Sequence, residues 1–283
     1  QNGTTPTVNA SGLTGSLSSS SYLDFDFGSN TVVLNLDMAL LSNTQSLALN
    51  ATGQTTLNRV ANAGTFNFDN LNVKLGAGNF CNSLGCSATA SGFLAGNTAD
   101  WAALNYSINA VSAAVNNGLF ITTEGVAAFK FDTTQAAPIS TLADTSSFDY
   151  VALLSKQVND NPEISVTSTA LDNVKASFDP TTLALKTAVE DVGEGTVTYG
   201  VNPTAAIAAT EVTHYKQTLS WGRWINTDIQ YGNLNRTVKL AANDTVHYIV
   251  GAPTLSLPNT TDIVSYHFIG STTPTGTLST PTQ

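Results

Sequence analysis

A chain of 283 residues has the length of one large β unit or two modest domains, and either buries a full core without covalent staples. Only 11% of it is charged, against about a quarter in an average globular protein, and the net charge of −10 with a pI near 4.4 excludes nucleic acid and anionic membrane as partners. No apolar run reaches the roughly 20 residues that a membrane span needs, and 42% apolar residues with little charge is a folded composition of the secreted surface type.

The chain starts at Gln1 with no signal segment, which reads as a processed product and hence as export to the extracellular space or cell surface. Residues 1–21 are rich in Thr, Ser, Gly and Asn, and the phrase Thr4, Thr5, Pro6, Thr7 returns near the other end as Thr272, Thr273, Pro274, Thr275. Segments of this composition are flexible in isolation, so tips of a folded protein that carry them are expected to be paired or packed.

From residue 22 onward, period-two patterning dominates. In "LDFDF" Asp24 and Asp26 share a strand face, either as solvated carboxylates or as a pair of acids. In "TVVLNLDMALL" Val32, Leu34, Leu36, Met38 and Leu40 fall on one face, with Asn35 and Asp37 on the other. In "TFNFDNLNVKL" the apolar parity switches after Phe68, so Asp69 and Asn70 are expected at a turn or bulge. Cys81 and Cys86 in "FCNSLGC" are spaced for a small disulfide-closed loop in an oxidising compartment, with two reduced thiols as the other reading. Short helices are expected near "NTADWAAL" and near "NPTAAIAATE".

Further strands are expected over residues 118–131, 163–171, 182–189, 196–200, 214–224, 236–241, 245–251 and 263–270, separated by turn signals such as "DNP", "FDPTT" and "SLPNTT". The fold class is therefore all-β, an antiparallel β-barrel or sandwich with at most one or two short helices. Residues 1–135 are expected to form a first β module, and residues 136–283 a second with a C-terminal strand and a Thr/Pro-rich tail; one continuous unit is the other reading. A faint echo links residues 25–40 with 176–189, each a Phe-led turn before an alternating strand.

Chemistry-bearing constellations are few. His214, His247 and His267 have no metal-motif spacing, although His247 and His267 would share a face if their strands paired, as an ordinary pair or as metal or haem ligands. In "WGRW" Trp221 and Arg223 share a face and Trp224 points the other way, either as core packing or as a ligand anchor. No catalytic residue, metal site or cofactor is assigned. The sequons at Asn2, Asn9, Asn50, Asn105, Asn235, Asn243 and Asn259 are those that a chain rich in Asn, Ser and Thr produces by chance, and they do not establish glycosylation.

"SGFLAGNTADWAALNYSI" (91–108) followed by "EGVAAFKF" (124–131) resembles the barrel signature of transferrin-binding-protein-B-like domains, and "SWGRW", "HYIVGAPT" and "YHFIGSTTPT" resemble motifs of bacterial FecR-domain-associated surface proteins. The resemblance covers roughly half of the chain in short phrases. It implies an antiparallel barrel of about eight strands on an exported bacterial protein without enzymatic activity. The motif order is permuted here, as though a barrel were cut at the Thr-Pro-Thr phrase and rejoined. This chain also lacks the lipoprotein cysteine of anchored members, and no binding residue carries over. Three functions are weighed, of which an enzyme is set aside because no catalytic group stands out. In one of the two that remain, the protein is a structural subunit that polymerises with itself by strand complementation between Thr4–Thr7 and Thr272–Thr275 of neighbouring copies. In the other, residues 1–30 pair beside 263–275 in one molecule, giving a monomeric module that captures a protein or haem ligand.

Overall fold

The computed structural model describes residues 13–41, 46–59, 64–76, 86–96, 98–112, 119–131, 149–157, 169–179, 184–191, 195–200, 206–207, 213–215, 219–225, 228–232, 236–239, 245–252, 254 and 256–279. They form β1 (Leu13–Leu17), β2 (Tyr22–Asp26), β3 (Thr31–Leu41), β4 (Ser46–Thr56), β5 (Thr65–Phe68), β6 (Asn72–Leu75), β7 (Ser87–Ala95), β8 (Trp101–Ser112), β9 (Leu119–Phe131), β10 (Asp149–Gln157) and β11 (Thr169–Phe178). There follow β12 (Leu185–Asp191), β13 (Thr196–Tyr199), β14 (Ala206–Ile207), β15 (Thr213–Tyr215), β16 (Leu219–Ile225), β17 (Asp228–Tyr231), β18 (Arg236–Lys239), β19 (Thr245–Gly251), β20 (Ile263–Ser271) and β21 (Thr275–Ser279). The class is all-β and antiparallel, with no helix among the described residues.

Both helix expectations meet strands instead. Residues 101–112 are β8, because Ala102, Leu104, Tyr106 and Ile108 face one core while Trp101 and Ala103 face another, a two-sided burial that alternation alone does not reveal. Ala206 and Ile207 form the short β14; the rest of that expected helix lies outside the described residues. The expected strand over 214–224 is divided between β15 and β16. The expected strand over 163–171 is described only from Thr169, as the start of β11.

The first sheet has eleven strands and curls into a half-barrel. β3 bonds β4 along one edge, and β2 and then β1 along the other. β7, β8 and β9 form the opposite wall. The parity switch after Phe68 is a corner: β5 bonds β7, Leu71 N–H donates to Ala88 O, and β6 bonds β4, so one bent segment links the two walls. Side chains from β1 to β9 and from β20, among them Phe25, Leu34, Phe66, Tyr106, Phe129 and Tyr266, fill one interior.

The second sheet has ten strands and runs from β14 and β15 through β16, β19, β10, β11, β12, β13 and β17 to β18. One face curls around Phe178, Leu185, Val197, Trp224, Ile229 and Tyr248. The other face packs on the outside of the β7–β9 wall, where Leu219, Trp221 and Ile249 meet Phe93, Trp101, Val126 and Ala128. Hence β7 to β9 are covered on both sides.

The module boundary at 135/136 is corrected by β20 and β21, which return to the first sheet. They lie end to end along β9 and pair on their other side with β2 and β1. Residues 275–279 are therefore a paired strand and not a tail.

Candidate functional site

The feature that sets this molecule apart from a plain stack of two sheets is the slot holding residues 263–279. One wall of the slot is β9, the other is β2 followed by β1. The register runs from Tyr22↔His267 to Asp26↔Ile263 on one side and from Tyr266↔Phe131 to Ser279↔Phe120 on the other. These pairings, interrupted at Ile269 and again between Ser271 and Thr275, close the half-barrel.

Three positions hold the strand in depth. Tyr266 is fully buried; its ring lies 4.9 Å from that of Phe25 and 5.6 Å from that of Phe131, and its hydroxyl donates to the Ala99 carbonyl. Burial, with the Asp100 charge nearby, pushes its phenol far above the ordinary range, so it stays a neutral donor. Ala99 takes a left-handed φ of 57°, which an alanine adopts only when its surroundings hold it there.

At Ile269 the register with β9 slips between Phe268 and Gly270. The bulge re-aims the chain: Val264 and Tyr266 point into the barrel, whereas Gly270 and Thr272 point at the second sheet. A Cβ on Gly270 would overlap the Trp221 ring. Thr272 is fully buried; its N–H donates to Val126 O at 3.2 Å, its Oγ1 accepts from Val126 N–H at 3.2 Å, and a 2.7 Å bond joins Oγ1 to His247 Nδ1. Arg223, directly across the ladder from His247, is also buried. Burial first, and then this guanidinium, hold the His247 imidazole well below its ordinary range.

The expected residues thus divide. Trp221 and Arg223 do share a face, turned to the first sheet, and Trp224 faces the second core, where its Nε1 donates to Leu185 O at 2.8 Å; all three are packed inside. Thr272 and Pro274 are buried against the chain's own strands, and Thr273 and Thr275 lie beside them in the same segment. Thr4, Thr5, Pro6 and Thr7, the other half of the expected contact between the two Thr-Pro-Thr phrases, lie outside the described residues.

His247 and His267 are not neighbours, because β19 and β20 belong to different sheets; His267 is exposed and stands between Tyr22 and Lys130 in the ladder. His214 is in β15. Asp24 accepts from Ser265 Oγ at 2.6 Å, and Asp26 accepts from the N–H groups of Gly28 and Ser29, closing a turn; both carboxylates are thereby assigned to structure. Cys86 packs against the barrel core, and Cys81 lies outside the described residues. Of the sequons, Asn105 is fully buried, Asn50 is hydrogen-bonded to Asn35 and Asp37, and Asn259 is exposed. Asn2, Asn9, Asn235 and Asn243 lie outside the described residues.

Sequence reasoning missed a recurring device in which an aromatic ring lies over a glycine directly across the ladder: Phe66 over Gly92, Tyr106 over Gly125 and Tyr248 over Gly222. The signal is an aromatic and a glycine in register, and register is set by pairing partners the sequence does not name. Among the described residues no three His, Cys, Asp or Glu side chains are placed to hold a metal ion, and no helix is long and apolar enough to cross a membrane. No protein-family model, curated protein or solved structure matches this chain.

Proposed function

We propose that the protein is a non-enzymatic extracellular structural subunit that polymerises head to tail, residues 263–279 of one copy completing the half-barrel of the next. The observation that carries this reading is that the strand closing the barrel comes last in the described chain, filling a slot whose walls are all contributed by residues 13–131. It is reached through residues 252–262, whose described positions carry no strand. Eleven extended residues span up to about 36 Å, and because Ala252 and Thr254 are buried and Leu257 packs on the barrel core, delivering the strand to an adjacent molecule requires this segment to come away from its own chain. Contacts made within one chain and between chains are the same, so exchange needs no new interface, and a head-to-tail exchange that does not close on itself grows into a filament. Low charge favours such association. The resemblance to exported bacterial barrel proteins accords with a surface or extracellular location, where Cys81 and Cys86 would be oxidised to the expected disulfide.

The second reading is a monomeric secreted or surface module, taking a protein or haem ligand, in which the same strand stays at home. The pairing of β1 and β2 with β21 and β20 inside one chain favours it. The substitutions Asp24→Cys and Ser265→Cys in one chain separate the two, since these side chains touch across the slot. After treatment of native assemblies with a short thiol cross-linker, a denaturing gel shows a ladder of covalent multimers if strands are exchanged. Cross-linked monomers alone, together with small uniform particles by negative stain, would sink the filament reading.

A further inference from the structure

The slot does more than accept any extended chain. We propose that it is a sequence-selective peptide site that reads an extended segment of the pattern Tyr-x-x-x-Gly-x-Thr, supplied here by Tyr266, Gly270 and Thr272. This inference rests on reading residues 263–279 as an exchangeable strand, and it names what the exchange recognises.

Backbone ladders alone select poorly, because every residue offers the same N–H and C=O groups and a strand can slip by two without changing faces. Three side-chain points remove that freedom. Tyr266 enters a closed aromatic pocket between Phe25 and Phe131, and its hydroxyl meets the Ala99 carbonyl, whose position the left-handed turn fixes. A slip by two would put Val264 or Phe268 there, and neither has a hydroxyl to donate.

Four residues on, Trp221 closes over the backbone so tightly that only glycine fits. Its neighbours in the strand, Ile269 and Ser271, each carry a Cβ, so no shift by one residue is accepted either. Two further residues on, Thr272 Oγ1 bonds both His247 and the Val126 N–H. The first point belongs to the barrel, the second to β16, and the third to β19 and β9. The site therefore exists only where the two sheets meet, and the bulge at Ile269 lets one strand address both. The occupant is an extended peptide with this spacing, from the same chain or from a second copy.

The test refolds full-length chain carrying Asp24→Cys in a hundredfold excess of synthetic peptide of residues 263–279, and reads covalent capture by thiol cross-linking. The peptide with Ser265→Cys is expected to cross-link, because residue 265 lies opposite residue 24, and the peptide with His267→Cys at least tenfold less. Adding Gly270→Val to the Ser265→Cys peptide is expected to reduce capture at least tenfold. A chain that also carries Trp221→Ala should recover it, a reciprocal switch that general unfolding does not produce. Equal capture of all peptides, or capture of none, overturns the site. Capture with the predicted selectivity by a chain whose native form is monomeric supports the peptide site while rejecting the filament, so the two readings fail separately.

Discussion

The two sheets solve the same problem, hiding strand edges, in opposite ways. The second builds its order largely from neighbours in sequence, with β10 through β13 and the pair β17 and β18 laid down as successive antiparallel partners, and among the described residues both of its ends are open. Among the described residues the first ends in the four-residue strands β5 and β6, and its closure joins β2 to β20 across more than two hundred residues of chain. Long-range pairing carries a larger loop-closure entropy than hairpins do. The difference teaches that the first sheet's stability hangs on one late segment, whereas the second loses only what a local change removes.

The largest expected effect follows directly. Tyr266→Ala empties a fully buried aromatic pocket on the closing strand and should destabilise the molecule by about 3 to 5 kcal/mol. The midpoint of a urea titration measures it, and binding of a hydrophobic dye at low urea should report the opened barrel. If the dye signal is unchanged and the loss is under about 1 kcal/mol, closure does not depend on this strand.

Acid comes next, because it acts where the two sheets touch. His247 is held neutral in the fold by burial and by Arg223, and Glu124 is buried on the same outer face of β9. The unfolded chain takes up the proton near the ordinary value of 6.5 while the native chain resists it until lower pH. A depressed native value therefore means stability that is complete above pH 6.5 and declines as pH falls below it. The carboxyl of Asp37 is also depressed: burial raises it, but hydrogen bonds from Ser20, Asn50 and Asn35 outweigh burial, and its loss sets in only around the ordinary carboxylate value of 3.8. Between pH 6.5 and 4.5 the decline should thus follow the imidazole, and His247→Gln should flatten the stability curve there. An unaltered slope in the variant would remove His247 from the junction's energetics.

A smaller and more pointed contrast uses the tyrosines that cover glycines in each sheet. Tyr248 of the second sheet accepts from Leu185 N–H at 3.3 Å, so Tyr248→Phe should cost about 1 to 2 kcal/mol by orphaning a buried donor. Tyr106 of the first sheet is fully buried, and its hydroxyl has no partner among the described residues. There Tyr106→Phe removes an unsatisfied group and should stabilise by up to about 1 kcal/mol. Thermal melts of the two variants should move in opposite directions; a shift of the same sign in both would show that Tyr106 has an undescribed partner.

Much of this architecture is legible in the sequence, for a stateable reason. Where a strand has one wet face, alternation fixes its extent, and β3 buries the five residues its pattern nominates. The corner after Phe68 is legible too, as a parity switch. Where both faces are dry the signal fades: the start of β8 reads as helical because "DWAAL" alternates no polar face against an apolar one. The site is less legible still. Trp221 and Arg223 stand out by composition, and the C-terminal Thr-Pro-Thr phrase lies in the segment that closes the fold. What they touch depends on a bulge at Ile269 and on β20 leaving the second half of the chain for the first sheet. Tyr266 and Gly270 are ordinary residues until that pairing exists.

The last expectation concerns β18, the strand at one end of the second sheet among the described residues. β18 is only four residues long, and Arg236, Thr237 and Lys239 are exposed on it. Short length and positive charge are how edges avoid pairing with other molecules. Replacing the exposed Lys239, as Lys239→Val, should change folding stability by no more than about 0.5 kcal/mol, since nothing buried is altered. It should nonetheless promote irregular association, read as light scattering that rises with concentration. If filaments grow by strand exchange at the barrel, their regular axial spacing should survive this change, because the joint lies in the other sheet. Loss of the regular spacing with the barrel intact would move the joint to β18 and reverse the contrast between a sheet closed by its last strand and a sheet guarded at its edge.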